Sequence, residues 1–167
     1  MTMKILVLSD SHSALSFMFR CVNAVKPDAI VHLGDHYDDG EALGEEFPNI
    51  PIYQVPGNCD RYRAPFGASE ILILPVLGVN LYMTHGHRHN VKFYTGNLIA
   101  DARASGVAAV LYGHTHFAEC YQEADGLWVL NPGSAGSYGG SAGIIEVENK
   151  KIKGCSLIGQ RELEEMV

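Results

Sequence analysis

Positive charge, sulfur and long apolar runs are all scarce in this sequence. Its 167 residues hold 12 Lys and Arg against 19 Asp and Glu, a formal net charge of −7. That balance argues against a duplex-binding protein with a clustered basic face, and no nucleic-acid partner is expected. The four cysteines (Cys21, Cys59, Cys120 and Cys155) are scattered with no Cys-x-x-Cys pair. They read as reduced thiols and not as a disulfide frame or a zinc knuckle. The longest apolar stretches are strand-sized, far short of the ~20 residues that cross a bilayer, so no membrane partner is expected. Lys4 to Leu8 is too short for the apolar region of a secretory signal and runs straight into Ser9-Asp10-Ser11-His12, which lacks a small-residue cleavage pattern. The expected location is cytoplasmic. Neither an internal repeat nor a low-complexity tract is present.

What is there is patterned. Lys4 to Leu8 is a continuous apolar run of the kind that forms a strand covered on both faces. Leu15, Met18, Phe19 and Val22 recur at three- and four-residue spacing, which predicts a helix over 14–24. Strands at 29–32 and 51–54, separated by a short helix at 40–47, complete a β-α-β-α-β alternation and hence a parallel sheet with right-handed crossovers. Strands 70–77 and 79–84 form a hairpin about Gly78. A helix over 92–104 and a strand over 107–112 follow, then hairpins pairing 117–123 with 127–131 and 143–148 with 151–157. The predicted fold class is α/β, a four-layer α/β/β/α sandwich of two mixed β-sheets flanked by helices. One domain is expected over 1–160, with a charged tail, 161–167, that is a short helix or disordered.

The chemistry-bearing residues do not scatter. Asp10 and His12 follow the first strand, Gly34-Asp35 the second and Gly57-Asn58-Cys59-Asp60 the third. His85-Gly86-His87 follows 79–84, and Gly113-His114-Thr115-His116 follows 107–112. Carboxyl ends of strands in α/β sheets form the rim where ligands bind, so these five ends describe one site. Alone, each fragment has a bland reading: Gly-Asp after a strand is commonly a turn or a helix cap, and His85 alone would pass for a core histidine. Their joint order favours metal. Carboxylate, imidazole and one amide oxygen without thiolate suit Mn, Fe, Co, Ni or Zn, whereas a closed structural zinc site takes four ligands, mostly Cys. Asp10, His12, Asp35, Asn58, His85, His114 and His116 are too many for one ion with an open position. They suit two ions ~3.5–4 Å apart that share a carboxylate and clamp an in-line displacement. Water held between two such cations supplies hydroxide near neutrality.

Asp-x-His, Gly-Asp, Gly-Asn-x-Asp, a separated His and Gly-His-x-His, in that order, closely resemble the calcineurin-like metallophosphoesterases, particularly small phosphodiesterases of the YfcE type. The resemblance runs from about Lys4 to Ser134 and takes in Asn131-Pro132-Gly133-Ser134. It implies hydrolysis of phosphodiester or phosphomonoester bonds by a hydroxide bridging two divalent ions, manganese foremost, with Fe, Ni, Co or Zn as alternatives. By resemblance, Asp10, His12 and His116 hold the first ion, Asp35 bridges, and Asn58, His85 and His114 hold the second. Asn58 also turns its amide NH2 toward a phosphate oxygen, and Asp60 orients a neighbouring site residue.

One position departs. Where many relatives carry a histidine thought to protonate the leaving group, this chain has Cys59, whose reference pKa of ~8.5 suits that task poorly. His87 or His36 could take it over, and a nucleophilic Cys59 is disfavoured. His36, Asp38 and Arg61 are candidates to line the substrate pocket; Arg61, Arg63 and Arg88 either hold phosphate or face solvent. His32 reads as structural and His89 as exposed. Trp128 reads as packing the core or a subunit contact, with a homo-oligomer left open. The expected partner is a small phosphoester. A rival reading is a non-catalytic metal-binding or protein-interaction scaffold on the same fold; a nuclease would need a basic track that is missing here.

Overall fold

A computed structural model describes residues 1–166. Ten strands form two five-stranded sheets. The first has the order β10-β9-β1-β2-β3, built from Lys151–Gly159, Ser141–Glu148, Thr2–Leu8, Ala29–His32 and Ile52–Gln54. The second has the order β4-β5-β6-β8-β7, from Ile71–Val76, Val79–Thr84, Ala109–Leu111, Trp128–Asn131 and Glu119–Gln122. β1, β2 and β3 run parallel, as do β5, β6 and β8; β9–β10, β4–β5 and β7–β8 are antiparallel hairpins, and β9 returns to pair antiparallel with β1.

Strand alternation explains the layers. Ile5 and Val7 of β1 face inward with Val31, Leu81, Met83, Leu111 and Ile145, forming the core between the sheets. Leu6 and Leu8 face the other way, under α1 (Leu15–Val25), α2 (Tyr37–Glu46) and α4 (Gln160–Glu165), where Met18, Val22, Leu43 and Leu163 cover them. On the second sheet, Tyr82, Val110 and Val129 meet Leu98 and Ala102 of α3 (Gly96–Ala104). The result is the α/β/β/α sandwich. The segment expected as a charged tail is helical to Glu165 and inserts Leu163, 1% exposed, beneath α1; Val167 lies outside the described residues.

The helix expected over 92–104 begins later, at Gly96. Residues His87–His89 instead form a 3-10 turn, ended by Asn90 at φ 53°. Phe93 and Tyr94 amides then close back onto the Asn90 carbonyl. The aromatic and β-branched side chains of Phe93, Tyr94 and Thr95 give the helix little reason to start sooner.

Candidate metal centre

Five strands deliver the site. β1 leads into Asp10 and His12, β2 into Asp35, β3 into Asn58, β5 into His85, and β6 into His114 and His116. Strand pairing carries on past the formal strand ends: Asp10 N–H donates to Gly34 O at 2.9 Å, and Gly113 N–H to His85 O at 2.9 Å. The glycines at these ends have a steric cause. A Cβ on Gly57 would overlap the Asp35 carboxylate, and one on Gly113 would overlap Ser9 Oγ and Asp10 Oδ2. Asp10, His12, Asp35, His36, His114 and His116 all sit at positive φ, between 44° and 70°. Backbone strain gathered in this way marks a site that the surrounding fold over-determines.

Each buried ligand candidate has one atom held by the protein and another left for the site. Asp10 Oδ2 accepts from Ser9 Oγ at 2.5 Å and His114 N at 3.0 Å, while its Oδ1 is buried with no hydrogen-bond partner. Asp35 Oδ1 accepts from Cys59 N at 2.9 Å, leaving Oδ2 to face the cluster. His85 is fully buried, and its Nδ1 donates to Leu33 O at 2.8 Å. A carbonyl only accepts, so Nδ1 carries the ring proton and Nε2 is the nitrogen left to offer a lone pair to the site. Around that lone pair lie Asn58 Oδ1 at 3.1 Å, His114 Nδ1 at 3.2 Å, Asp35 Oδ2 at 3.5 Å and Asp10 Oδ1 at 3.7 Å. His116 Nε2 stands 3.2 Å from Asp10 Oδ1, and the His12 ring packs against His116 and His36. Five electron-pair donors converging at one point, three of them on the buried side chains of Asp10, Asp35 and His85 and with at most a ring proton of His114 among them, fit a cation and little else.

Electrostatics agree. Burial alone would raise the Asp35 carboxyl, yet the His85 ring when it carries a second proton, the Cys59 amide and a protonated His12 hold it below the usual carboxylate range. Burial and the His85 ring push His114 down to about 4, so its imidazole is neutral near pH 7. Among the described residues, Asp10 with His12 and His116, and Asp10 with Asp35 and His85, can each close on an ion; a third group is His36, Asp38 and Asp39.

The remaining expected residues divide. Asp60 is 1% exposed, and its carboxylate is occupied by four backbone amides: Asp35 and Gly57 on Oδ2, His36 and Tyr37 on Oδ1, at 2.7–2.9 Å. It therefore clamps the β2–α2 turn to the β3 loop and supplies negative charge at the start of α2. His87 lines the groove beside Asn58, its Nε2 3.6 Å from Glu70 Oε1. Burial and the His85 ring push its pKa down against the pull of Glu70. Arg61 lines the same groove, over the Tyr62 ring. His36 caps α2 and leans on Asp39 at 3.9 Å. Asp38 is turned outward and pairs with Arg63 at 3.4 Å, and Arg88 is held by Glu70 at 2.8 Å. His89, expected in solvent, is tucked against Asp101 at 2.9 Å and the Tyr82 ring, because the 3-10 turn folds it back over α3. The exposed Cys59 thiol is pushed above its usual range by what burial it has and by Asp35.

Two features had little or no signal in the residue pattern. Glu70 reaches the site from before β4. Beneath His12, Ser11 Oγ donates to Asp39 Oδ2 at 2.7 Å and meets His32 Nε2 at 2.8 Å; Asp39 Oδ2 also accepts from Ser13 N. His32 is buried, which presses it down to about 4. A polar residue inside an apolar strand was the one available hint.

Residues 3–150 match the Calcineurin-like phosphoesterase superfamily domain. The chain belongs to that family. A probable metallophosphoesterase from Mycoplasma pneumoniae is 30% identical over 134 residues, covering 78% of each chain. The crystal structure of a predicted phosphoesterase from Streptococcus pneumoniae superposes with a TM-score of 0.76 at 25% identity, over 96% of this chain and 91% of that one. Vacuolar Protein Sorting 29 from Cryptosporidium parvum shares the fold at a TM-score of 0.71 and 16% identity, over 95% and 99% of the two chains.

Proposed function

We propose that this chain is a metal-dependent phosphoesterase that hydrolyses phosphodiester or phosphomonoester bonds at a centre for two divalent ions, manganese foremost. The observation that carries the reading is the convergence of lone pairs around His85 Nε2, beside a buried Asp10 oxygen with no partner. Asp10 Oδ1, His12 and His116 would hold one ion, and Asn58 Oδ1, His85 Nε2 and His114 the other. Asp35 would serve both, with its Oδ2 facing the cluster while the Cys59 amide orients the carboxylate through Oδ1. Two divalent ions held there would supply Lewis-acid activation at phosphorus and a water acidic enough to act as nucleophile near neutrality.

The chain's own residues do the rest. With Oδ1 directed at the cluster, Asn58 can turn its NH2 toward a phosphate oxygen, and Arg61 and His36 flank the position where that phosphate would sit. Asp60, by pinning four amides, keeps Asp35 and Asn58 in register. Cys59, its thiol held protonated near neutrality, offers neither a nucleophile nor a well-matched acid. The substrate is a small phosphoester.

The fold shared with Vacuolar Protein Sorting 29 keeps the scaffold reading as the alternative. Seven intact ligand positions favour the enzyme. The test is hydrolysis of an aryl phosphodiester by the manganese-loaded chain, abolished by a chelator and restored by the metal. Metal binding without hydrolysis of any phosphoester would favour the scaffold.

A further inference from the structure

Three buried polar side chains, Ser11, His32 and Asp39, stand outside the seven proposed ligands. They come from three elements: the loop after β1, strand β2 itself and the first turn of α2. A backbone amide at one end and a carboxylate at the other fix the direction of every bond between them. Gly34 N–H donates to His32 Nδ1 at 3.2 Å, so the ring proton sits on Nε2 and is donated to Ser11 Oγ at 2.8 Å. Ser11 Oγ then gives its own proton to Asp39 Oδ2 at 2.7 Å, and the same Oδ2 accepts from Ser13 N–H, also at 2.7 Å. The chain ends on a charge that burial disfavours and that the N-terminal turn of α2 offsets.

Ser11 and Ser13 flank His12 in the chain, so one carboxylate oxygen brackets that residue on both sides. The bracket closes over a costly backbone. His12 and Ser13 lie at φ 44° and 69°, consecutive left-handed positions without glycine, and such a stretch relaxes unless its surroundings hold it. The Ser11 carbonyl is closed in as well, since a Cβ on Gly136 would overlap it. Asp39 also sits in the turn that carries His36, whose Nδ1 lies 3.9 Å from Oδ2 and whose ring meets His12 edge-on at 4.8 Å between centroids. Packing tilts the His12 ring; the Asp39 bracket sets where its backbone stands.

We propose that Asp39 is a positioning residue for one ion of the pair: by bracketing His12 through Ser11 and Ser13 it holds that ring where Asp10 and His116 can share a cation with it, and His32 aligns the Ser11 hydroxyl for the task. This rests on the two-ion reading above and adds to it what sets the affinity of one ion apart from the other. The ligands of the second ion are held by other contacts. Leu33 O takes the proton of His85 Nδ1, and Asp60 pins the loops that carry Asp35 and Asn58. Loss of the Asp39 carboxylate therefore falls on the ion at His12 alone.

Calorimetric titration of the chelator-treated chain with manganese alone is the test. In Asp39→Ala one of the two sites should weaken ~10–100-fold, the range for a group that orients a metal ligand, and the other should hold its Kd. Asp39→Asn keeps an oxygen for Ser11 and Ser13 and should recover most of the lost affinity. Leu43→Ala, a core truncation in the same helix, should lose stability in urea with both sites intact, which separates positioning from general loosening of α2. In a His12→Ala background Asp39→Ala should add no further loss, because its effect passes through that ring. Should Asp39→Ala fail to fold, Ser11→Ala, which cuts one arm of the bracket, is read in the same two ways. Equal weakening of both sites, an Asn variant as poor as the Ala variant, or additive losses in the His12→Ala background would overturn the proposal. No ester is turned over in these titrations, so failure of hydrolysis bears on the phosphoesterase reading alone; a wild type that binds fewer than two ions would overturn both.

Discussion

Asp10, Asp35 and His85 form the floor of the site with 0%, 4% and 0% of their surface exposed, whereas His12 and His116 stand at its rim on left-handed turns. Each floor residue is aimed by a hydrogen bond from another element: Asp10 by His114 N–H, Asp35 by Cys59 N–H, and His85 through the Leu33 carbonyl. The two rim rings are placed by packing against one another and against His36. Geometry at the floor is thus set by folding, and the rim would be completed by the ion proposed to bind there. Floor substitutions should damage chemistry or fold, while rim substitutions should damage affinity for one ion.

The largest effect is expected at Asp35. Asp35→Asn keeps the Cys59 contact and the shape but removes the charge that would serve both ions. Activity of the metal-loaded chain should fall ~10³-fold or more, with a native far-UV spectrum, since metal catalysis contributes several kcal/mol. A folded variant with a tenth of the wild-type rate would contradict a shared carboxylate.

Next is the layer under the floor. Asp60→Ala strands four backbone amides, two of them buried, and each buried donor left unpaired costs about 1–3 kcal/mol. Chemical denaturation should show a loss of ~2–5 kcal/mol, and metal affinity in the surviving fold should drop ~10–100-fold. Unaltered metal affinity would sever the buried clamp from the site.

His32 sharpens the same contrast through pH. Burial holds it neutral down to about 4, against an ordinary 6.5. Between those values the unfolded chain takes up a proton that the folded chain refuses, so this contribution is complete above pH 6.5 and is lost as pH falls toward 4. In chelated protein the loss attributable to His32 should be ~3 kcal/mol. His32→Asn should flatten the stability profile by that amount; an unchanged slope would place the acid sensitivity elsewhere.

At the rim, the smallest effect belongs to Cys59. Cys59→Ala should retain activity within about threefold on an aryl ester, whose leaving group departs unaided. Cys59→His should help mainly with alkyl leaving groups, and the slope of log rate against leaving-group pKa distinguishes the variants. An Ala variant inactive on aryl esters with its metal bound would give Cys59 a part not described above.

The layered fold was legible because local patterns point one way. β1 is apolar on both faces, helix α1 has its stripe, and the hairpins carry turn residues. The seven candidate ligands were legible because each follows a strand, and strand ends in such sheets meet along one edge. Contacts between loops were not legible. Ser11 with Asp39 and Glu70 with His87 join residues 28 and 17 apart that no periodicity couples, and the orienting part of Asp60 was expected from the family resemblance alone. The segment around Asn90 misled for a local reason: a left-handed residue and three poor helix formers delay α3, and that turn carries His89 onto Asp101.

Metal stoichiometry tests the floor-and-rim account most directly. Elemental analysis of manganese-reconstituted, desalted protein should give two ions per wild-type chain. The rim variant His12→Ala/His116→Ala, still folded, should give one. One ion or fewer in the fully reconstituted wild type, or two in the rim variant, would contradict the account.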